Sequence, residues 1–236
     1  MNEHAVFSAK MRLSDLIAAN HNLILMLPRF GISLGFGDKS VQEVCKDYHL
    51  PVDFFTLICN VYTFEHYQPS SQEIRQTDMS PLLPYLKASH HYYLQERLEH
   101  IDNHVHLLAA SLEDKFGRVL CQFFDDYISE VREHFRKEET ETFPYLEALQ
   151  QGSAPVLSDR SFLSYDEAHE SIKDTLNDLT QIIFKYLPAK AFSNDAVDLV
   201  FDIFQISNDL EKHALIEEKI LLPYIEYLEQ NTAQAR

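Results

Sequence analysis

The stretch EHFRKEETETFPYLEAL, Glu133–Leu149, recurs downstream as EKHALIEEKILLPYIEYL, Glu211–Leu228. Displaced by 79 positions (213 − 134), the copies align His134 with His213, Glu138 with Glu217 and Glu139 with Glu218. They also align Pro144 with Pro223, Tyr145 with Tyr224, Glu147 with Glu226 and Leu149 with Leu228. Residues four apart lie one above the other on a helix. Each copy therefore aims an imidazole and a carboxylate at one point. A single His-x-x-x-Glu is ordinarily a solvated surface pair worth a few tenths of a kcal/mol. Two copies on alternate helices, each followed by Pro-Tyr, ask for a shared reason.

Working outward, the other long helical stretches each supply histidine. His90 and His91 stand before the stripe Leu94, Leu98, Ile101, Val105 and Leu108, and His169 stands near the start of the third stretch. Spacing leaves His90 and His91 as alternatives. The inventory is four imidazoles and two carboxylates, a donor set that suits iron first and manganese or zinc after it. Helix bundles assemble di-metal carboxylate sites from such facing donors, the carboxylates bridging and the imidazoles terminal. Glu139 and Glu218 sit about 100° round the helix from their neighbours, as outward charges or as orienters of a ligating His. Tyr145 and Tyr224 read as core aromatics. His100, His104 and His106 read as solvated positions spread around their helix, with His104 or His106 as alternatives for orienting a ligand.

The 236 residues fit one large domain, or a medium one and a small one. Five glycines are too few for a strand-and-turn fold and favour helices. The formal net charge of −17 argues against nucleic acid and against anionic lipid as partners. The three cysteines, Cys45, Cys59 and Cys121, form no CxxC and no disulfide framework. No run approaches the roughly 18 apolar residues of a membrane span, and the N-terminal stretch lacks a signal-peptide pattern. The expected setting is cytoplasmic.

Three regions are expected: a small helical domain over 1–66, a linker over 67–79, and long helices over 80–236. In the first, apolar spacing runs to Pro28, GISLGFGDKS forms a loop, Ser40 and Glu43 form a capping box, and Pro51 and Asp53 open a third helix. Ser80 is expected to cap the first long helix, Ser164 and Glu167 to box the third, and Pro188 to end it. The second long helix is expected to break near Pro144. The resulting fold class is all-α, a small N-terminal helical domain followed by an up-down-up-down four-helix bundle.

In the segments SHHYYLQERLEHI, HFRKEETETFPYL, YDEAHESI and HALIEEKILLPYI, the chain resembles the hemerythrin-like (HHE cation-binding) family over about residues 80 to 230. That family places His in helix one, His-x-x-x-Glu in helix two, His in helix three and His-x-x-x-Glu in helix four. The first half is similar to the small domain fused to this bundle in iron-sulfur cluster repair di-iron proteins. The resemblance implies two non-haem irons with an oxo or hydroxo bridge. His90 or His91, His134, His169 and His213 would be terminal ligands, and Glu138 and Glu217 would bridge. It implies O2 or NO as the small-molecule partner and damaged iron-sulfur proteins as further partners. The implied role is in nitrosative or oxidative stress, and the N-terminal unit, lacking the family's cysteine run, reads as an interaction or dimerisation module. The alternative is a non-catalytic sensor or store of O2, NO or iron. One departure is plain: where the repair family carries Cys-Cys-Gly-Gly, this chain has SLGFGDKS, and Cys45 and Cys59 read as buried small hydrophobes.

Overall fold

The computed structural model describes residues 6–112, 114–153, 166–187 and 193–234. Over these residues the chain is all-helical, and they hold no strand, only an isolated bridge between Arg12 and Ser40. Contacts divide the chain into two compact units that interleave along the sequence. One takes its described residues from Met1–Ser89, Ala148–Ser153 and Lys212–Arg236, the other from His90–Glu147 and Ala154–Glu211.

The first unit begins with α1 (Leu13–Ala19), α2 (Val41–Asp47), α3 (Val52–Thr63) and the short α4 (Ser71–Gln76). The expected capping box is present, with Ser40 Oγ accepting from the Glu43 N–H and Glu43 returning a bond to the Ser40 N–H at 2.8 Å. After α1 the apolar run continues as two 3-10 turns, His21–Leu25 and Pro28–Phe30, instead of one helix. Asn20 is extended and caps the first turn, so the run is broken at that residue. The polar stretch 67–79, read from sequence as a linker, contains α4, whose N-cap Ser70 accepts from the Glu73 N–H. Phe30 gathers Phe55 and Tyr85 at ring separations of 5.1 and 4.7 Å, and Asn60 ties down the Phe7 backbone. Cys45 and Cys59 are buried in this core. Burial pushes the Cys45 thiol up to about 12 and raises Cys59 as well, which leaves both protonated at neutral pH.

The chain enters the second unit inside α5 (Leu82–Tyr92). Ser80 does not cap this helix with its side chain; its N–H donates to Asp78 Oδ1, and the first helical bond runs from the Tyr85 N–H to the Pro81 carbonyl. A π-helical turn, Tyr93–Arg97, leads into α6 (Leu98–Ala110). Then come α7 (Asp114–Lys137), a second π turn (Glu138–Thr142) and α8 (Phe143–Gln150), which ends on Gly152 at φ +66°. Next are α9 (Asp166–Tyr186) and α10 (Asn194–Ile216). A third π turn, Glu217–Leu221, precedes α11 (Leu222–Gln234), which belongs to the first unit.

The core of the second unit is one apolar cluster fed by α6, α7, α9 and α10, including Ile101, Val105, Phe124, Val131, Leu176, Leu179, Leu199 and Ile203. Gly117 marks a close approach of two of these helices, because a Cβ there would lie 2.6 Å from the Ala109 carbonyl oxygen. The expected break near Pro144 takes the form of the π turn just before it. Proline lacks the N–H of an α-helical bond and its ring collides with the carbonyl four residues back, and a widened turn relieves that collision. The Ser164–Glu167 box, most of the loop GSAPVLSDRS and Pro188 lie outside the described residues. No helix is long and apolar enough to cross a membrane, over the described residues.

Candidate metal centre

Within the second unit, three imidazoles surround one carboxylate. His90 comes from α5, His134 from the last turn of α7, and His169 from α9, while Glu138 opens the π turn that follows α7. His90 Nε2 lies 3.1 Å from Glu138 Oε2. His134 Nε2 lies 3.1 Å from the other oxygen, Oε1, and His169 Nε2 lies 4.0 Å from that same oxygen. The carboxylate thus turns one oxygen to His90 and the other to the His134–His169 pair. The rings of that pair meet edge to face at 4.7 Å.

This spacing fits cation ligands. Bonds of about 2.1 Å at octahedral or tetrahedral angles hold donor atoms about 3.0–3.4 Å apart. The two 3.1 Å separations fall in that range, one at each end of the same carboxylate. Burial points the same way: the side chains of His90, Glu138 and His134 are 1%, 4% and 9% exposed, and His169 is 19% exposed. A carboxylate withdrawn from water needs compensating positive charge, and the imidazoles around it are themselves the commonest metal donors. Donor atoms of His134, Glu138 and His169 lie within 4.8 Å of one another, so these buried His and Glu groups could hold a metal ion.

The surroundings fix the donors. His90 is stacked against Phe135 at 4.0 Å and 11°, and against Phe143 at 5.2 Å and 20°. His90 Nδ1 sits 2.9 Å from Glu139 Oε1, a hydrogen bond in which Nδ1–H donates to the carboxylate while Nε2 faces Glu138. Glu139, read from sequence as an outward charge or an orienter, is exposed and also bonded to His90. His91, the alternative to His90, is exposed.

The first unit carries the second copy. His213 Nε2 lies 3.2 Å from Glu217 Oε1, with the two side chains 2% and 0% exposed. Glu217 opens a π turn, as Glu138 does. Glu218 is exposed. Beside it, Lys219 is buried and donates to the carbonyls of Glu65 and Tyr67 at 2.7 and 3.2 Å. Tyr145 is buried as expected, whereas Tyr224 is half-buried.

The reading of His100, His104 and His106 as spread around their helix needs correcting. His100 and His104 share one face of α6 and converge on Asp202, while His106 Nδ1 bonds back to the Asp102 carbonyl. The signal was present in the i, i+4 spacing of His100 and His104. What the spacing does not supply is Asp202, which lies about a hundred residues away in sequence. Comparison of the chain with protein-family models returned no match, and comparison with curated proteins returned none either.

Proposed function

We propose that the chain is a hemerythrin-like, non-haem di-iron protein whose long helices form an up-down-up-down four-helix bundle. In this reading His90, His134, His169, His213, Glu138 and Glu217 would hold the irons, the imidazoles as terminal donors and the carboxylates as shared ones. The observation that carries it is Glu138, with its two oxygens each turned to a different imidazole partner at 3.1 Å. Support for including His213 and Glu217 comes from the 79-residue sequence repeat (213 − 134), from their equal or deeper burial, and from the π turn that begins at the Glu of each copy. π turns inside α-helices concentrate at functional sites. Imidazole with carboxylate suits iron, as it also suits zinc or manganese, and the resemblance to the hemerythrin-like family selects iron among them.

Bound iron would supply inner-sphere redox chemistry toward a diatomic such as O2 or NO. The chain's own part is positional. Phe135 and Phe143 clamp His90 and exclude water from its face. Glu139 holds the His90 Nδ1 proton and so directs Nε2 inward. The His134–His169 side is the wetter one, with His169 the most exposed of the group, and is the side by which a small molecule would reach the centre. By resemblance, the physiological role is nitrosative or oxidative stress, through NO or O2 handling or iron supply to damaged iron-sulfur proteins.

A second reading, a non-catalytic store or sensor of O2, NO or iron, is favoured by the thiols. Cys45 and Cys59 are buried and held protonated, so they offer no thiolate for transfer or reduction. Two measurements test these readings. Protein expressed with ample iron should carry two irons per chain and a near-ultraviolet ligand-to-iron charge-transfer band, both lost in His134→Ala. Iron well below one per chain, with a spectrum unchanged in His134→Ala, defeats the di-iron reading. Mixing the reduced protein with NO then separates turnover, seen as repeated N2O release, from a stable stoichiometric adduct.

A further inference from the structure

We propose that the second unit carries a separate divalent-cation site, made by His100, His104 and Asp202 and suited to Zn2+. His100 and His104 lie four residues apart on α6, one above the other, with ring centroids 4.3 Å apart. Both face a single atom. His100 Nε2 is 3.2 Å and His104 Nδ1 is 3.4 Å from Asp202 Oδ2. All three donor atoms lie within 4.8 Å of one another. Zinc bonds to nitrogen and carboxylate oxygen of about 2.1 Å at tetrahedral angles put neighbouring donors about 3.4 Å apart. The 3.2 and 3.4 Å separations match that edge.

Two further observations set this cluster apart from an ordinary surface ion pair. The first is the division of labour on Asp202. Arg97 donates to its other oxygen, Oδ1, at 3.0 Å, and also to Gln205 Oε1 at 2.6 Å. Arg97 therefore fixes the carboxylate and leaves Oδ2 turned toward the imidazoles. The second is His104 Nδ1, which is shut off from solvent and makes no hydrogen bond, despite its 3.4 Å approach to Oδ2. A ring nitrogen so placed costs free energy unless something else satisfies it, and a cation seated between Nδ1 and Oδ2 would do so.

The donor set is two imidazoles and one carboxylate, with room for a solvent molecule in a fourth position. That is a zinc-type combination, softer than a calcium or magnesium cage and without thiolate. The side chain of His100 is 48% exposed and that of Asp202 is 19% exposed, so a cation reaches the site from water. The chain's net charge of −17 favours cation capture in general. Because α6 supplies two ligands and α10 the third, the bound ion acts as a clamp between these two helices of the unit.

Zn2+ titration of the full chain against a competing chromophoric chelator tests the site. The comparison uses wild type, the double variant His100→Gln/His104→Gln, and Glu138→Ala, which disables the other cluster. Expected is a Zn2+ equivalent that binds at least tenfold more weakly in the double variant and is retained in Glu138→Ala. Zn2+ should also raise the melting temperature of Glu138→Ala, but not of Glu138→Ala combined with the double change. Equal Zn2+ binding by wild type and the double variant overturns the proposal, as does loss of the equivalent in Glu138→Ala. Circular dichroism of each variant checks the fold, which the changes at the partly exposed His100 and His104 should leave intact.

Discussion

The two His-x-x-x-Glu copies share a plan and differ in how each is held. Both place a carboxylate at the first residue of a π turn, both put a proline two residues after that turn, and both bury the Glu. The first copy stands at a wetter place, and its neighbour Glu139, 46% exposed, holds His90. The second is sealed, and its neighbour Lys219 is buried and bonded to two carbonyls that follow α3. At the position matching Lys219, the first copy has Thr140, exposed and bonded only to its own helix. In the first copy the following glutamate thus bonds His90, and in the second a buried lysine ties the turn to the surrounding chain. Similar His–Glu geometry is reached through different local support.

The largest expected effect breaks the comparison outright. If the copies form one dinuclear centre, His134→Ala and His213→Ala should each collapse iron loading to well under half, since a bridged pair loses both ions when either side fails. Metal analysis of the purified variants checks this. Retention of one iron by His213→Ala would show two independent mononuclear sites.

How far this was legible in the sequence is clearest at His90. The repeat itself exposed His134, Glu138, His213 and Glu217, because a four-residue spacing survives on any helix. His90 against His91 did not resolve, for a physical reason. An α-helical period carries the stripe back from Leu98 to either histidine, but the π turn Tyr93–Arg97 inserts an extra residue into that period. The buried face runs Leu98, Tyr93, His90, Leu86, with a step of five where the α period allows three or four. Local hydrogen-bond widening leaves no mark in residue type there, since no proline follows. At Pro144 and Pro223 the mark was present, but it read as an end or bend, not a widened turn. The helices, the Ser40 box and the buried thiols were legible, because capping chemistry and apolar spacing are local. The Asp202 contacts were not, because they depend on packing between distant segments.

Lys219→Met tests the support on the sealed side. It removes charge-assisted bonds to the carbonyls of Glu65 and Tyr67 and should destabilise by about 2–3 kcal/mol in urea unfolding, with iron stoichiometry kept. Thr140→Val at the matching position should stay within about 0.5 kcal/mol, because its hydroxyl is exposed. Equal losses would mean that the two copies are braced alike. On the wetter side, Glu139→Gln should weaken metal affinity by about tenfold, since partners that orient a ligating histidine are typically worth 10–100-fold. Glu218→Gln should leave affinity unchanged, as Glu218 is exposed.

The smallest effect concerns the shared prolines. Pro144 and Pro223 each stand where an α-helical N–H would seek the carbonyl four residues back, that of Thr140 and of Lys219. Alanine restores that N–H and removes the ring, so the preceding turn is free to tighten from π to α. At Pro144 this should stabilise the metal-free protein by about 1 kcal/mol or less, while tilting Glu138 and weakening metal binding severalfold. At Pro223 the shift in metal binding should be smaller, because Lys219 lies inside the turn and is pinned to the Glu65 and Tyr67 carbonyls. Paired urea titrations and metal competition on the two variants read both quantities. If Pro223→Ala loses as much affinity as Pro144→Ala, the lysine anchor is not what holds the second turn, and combining Pro223→Ala with Lys219→Met should then produce no further loss.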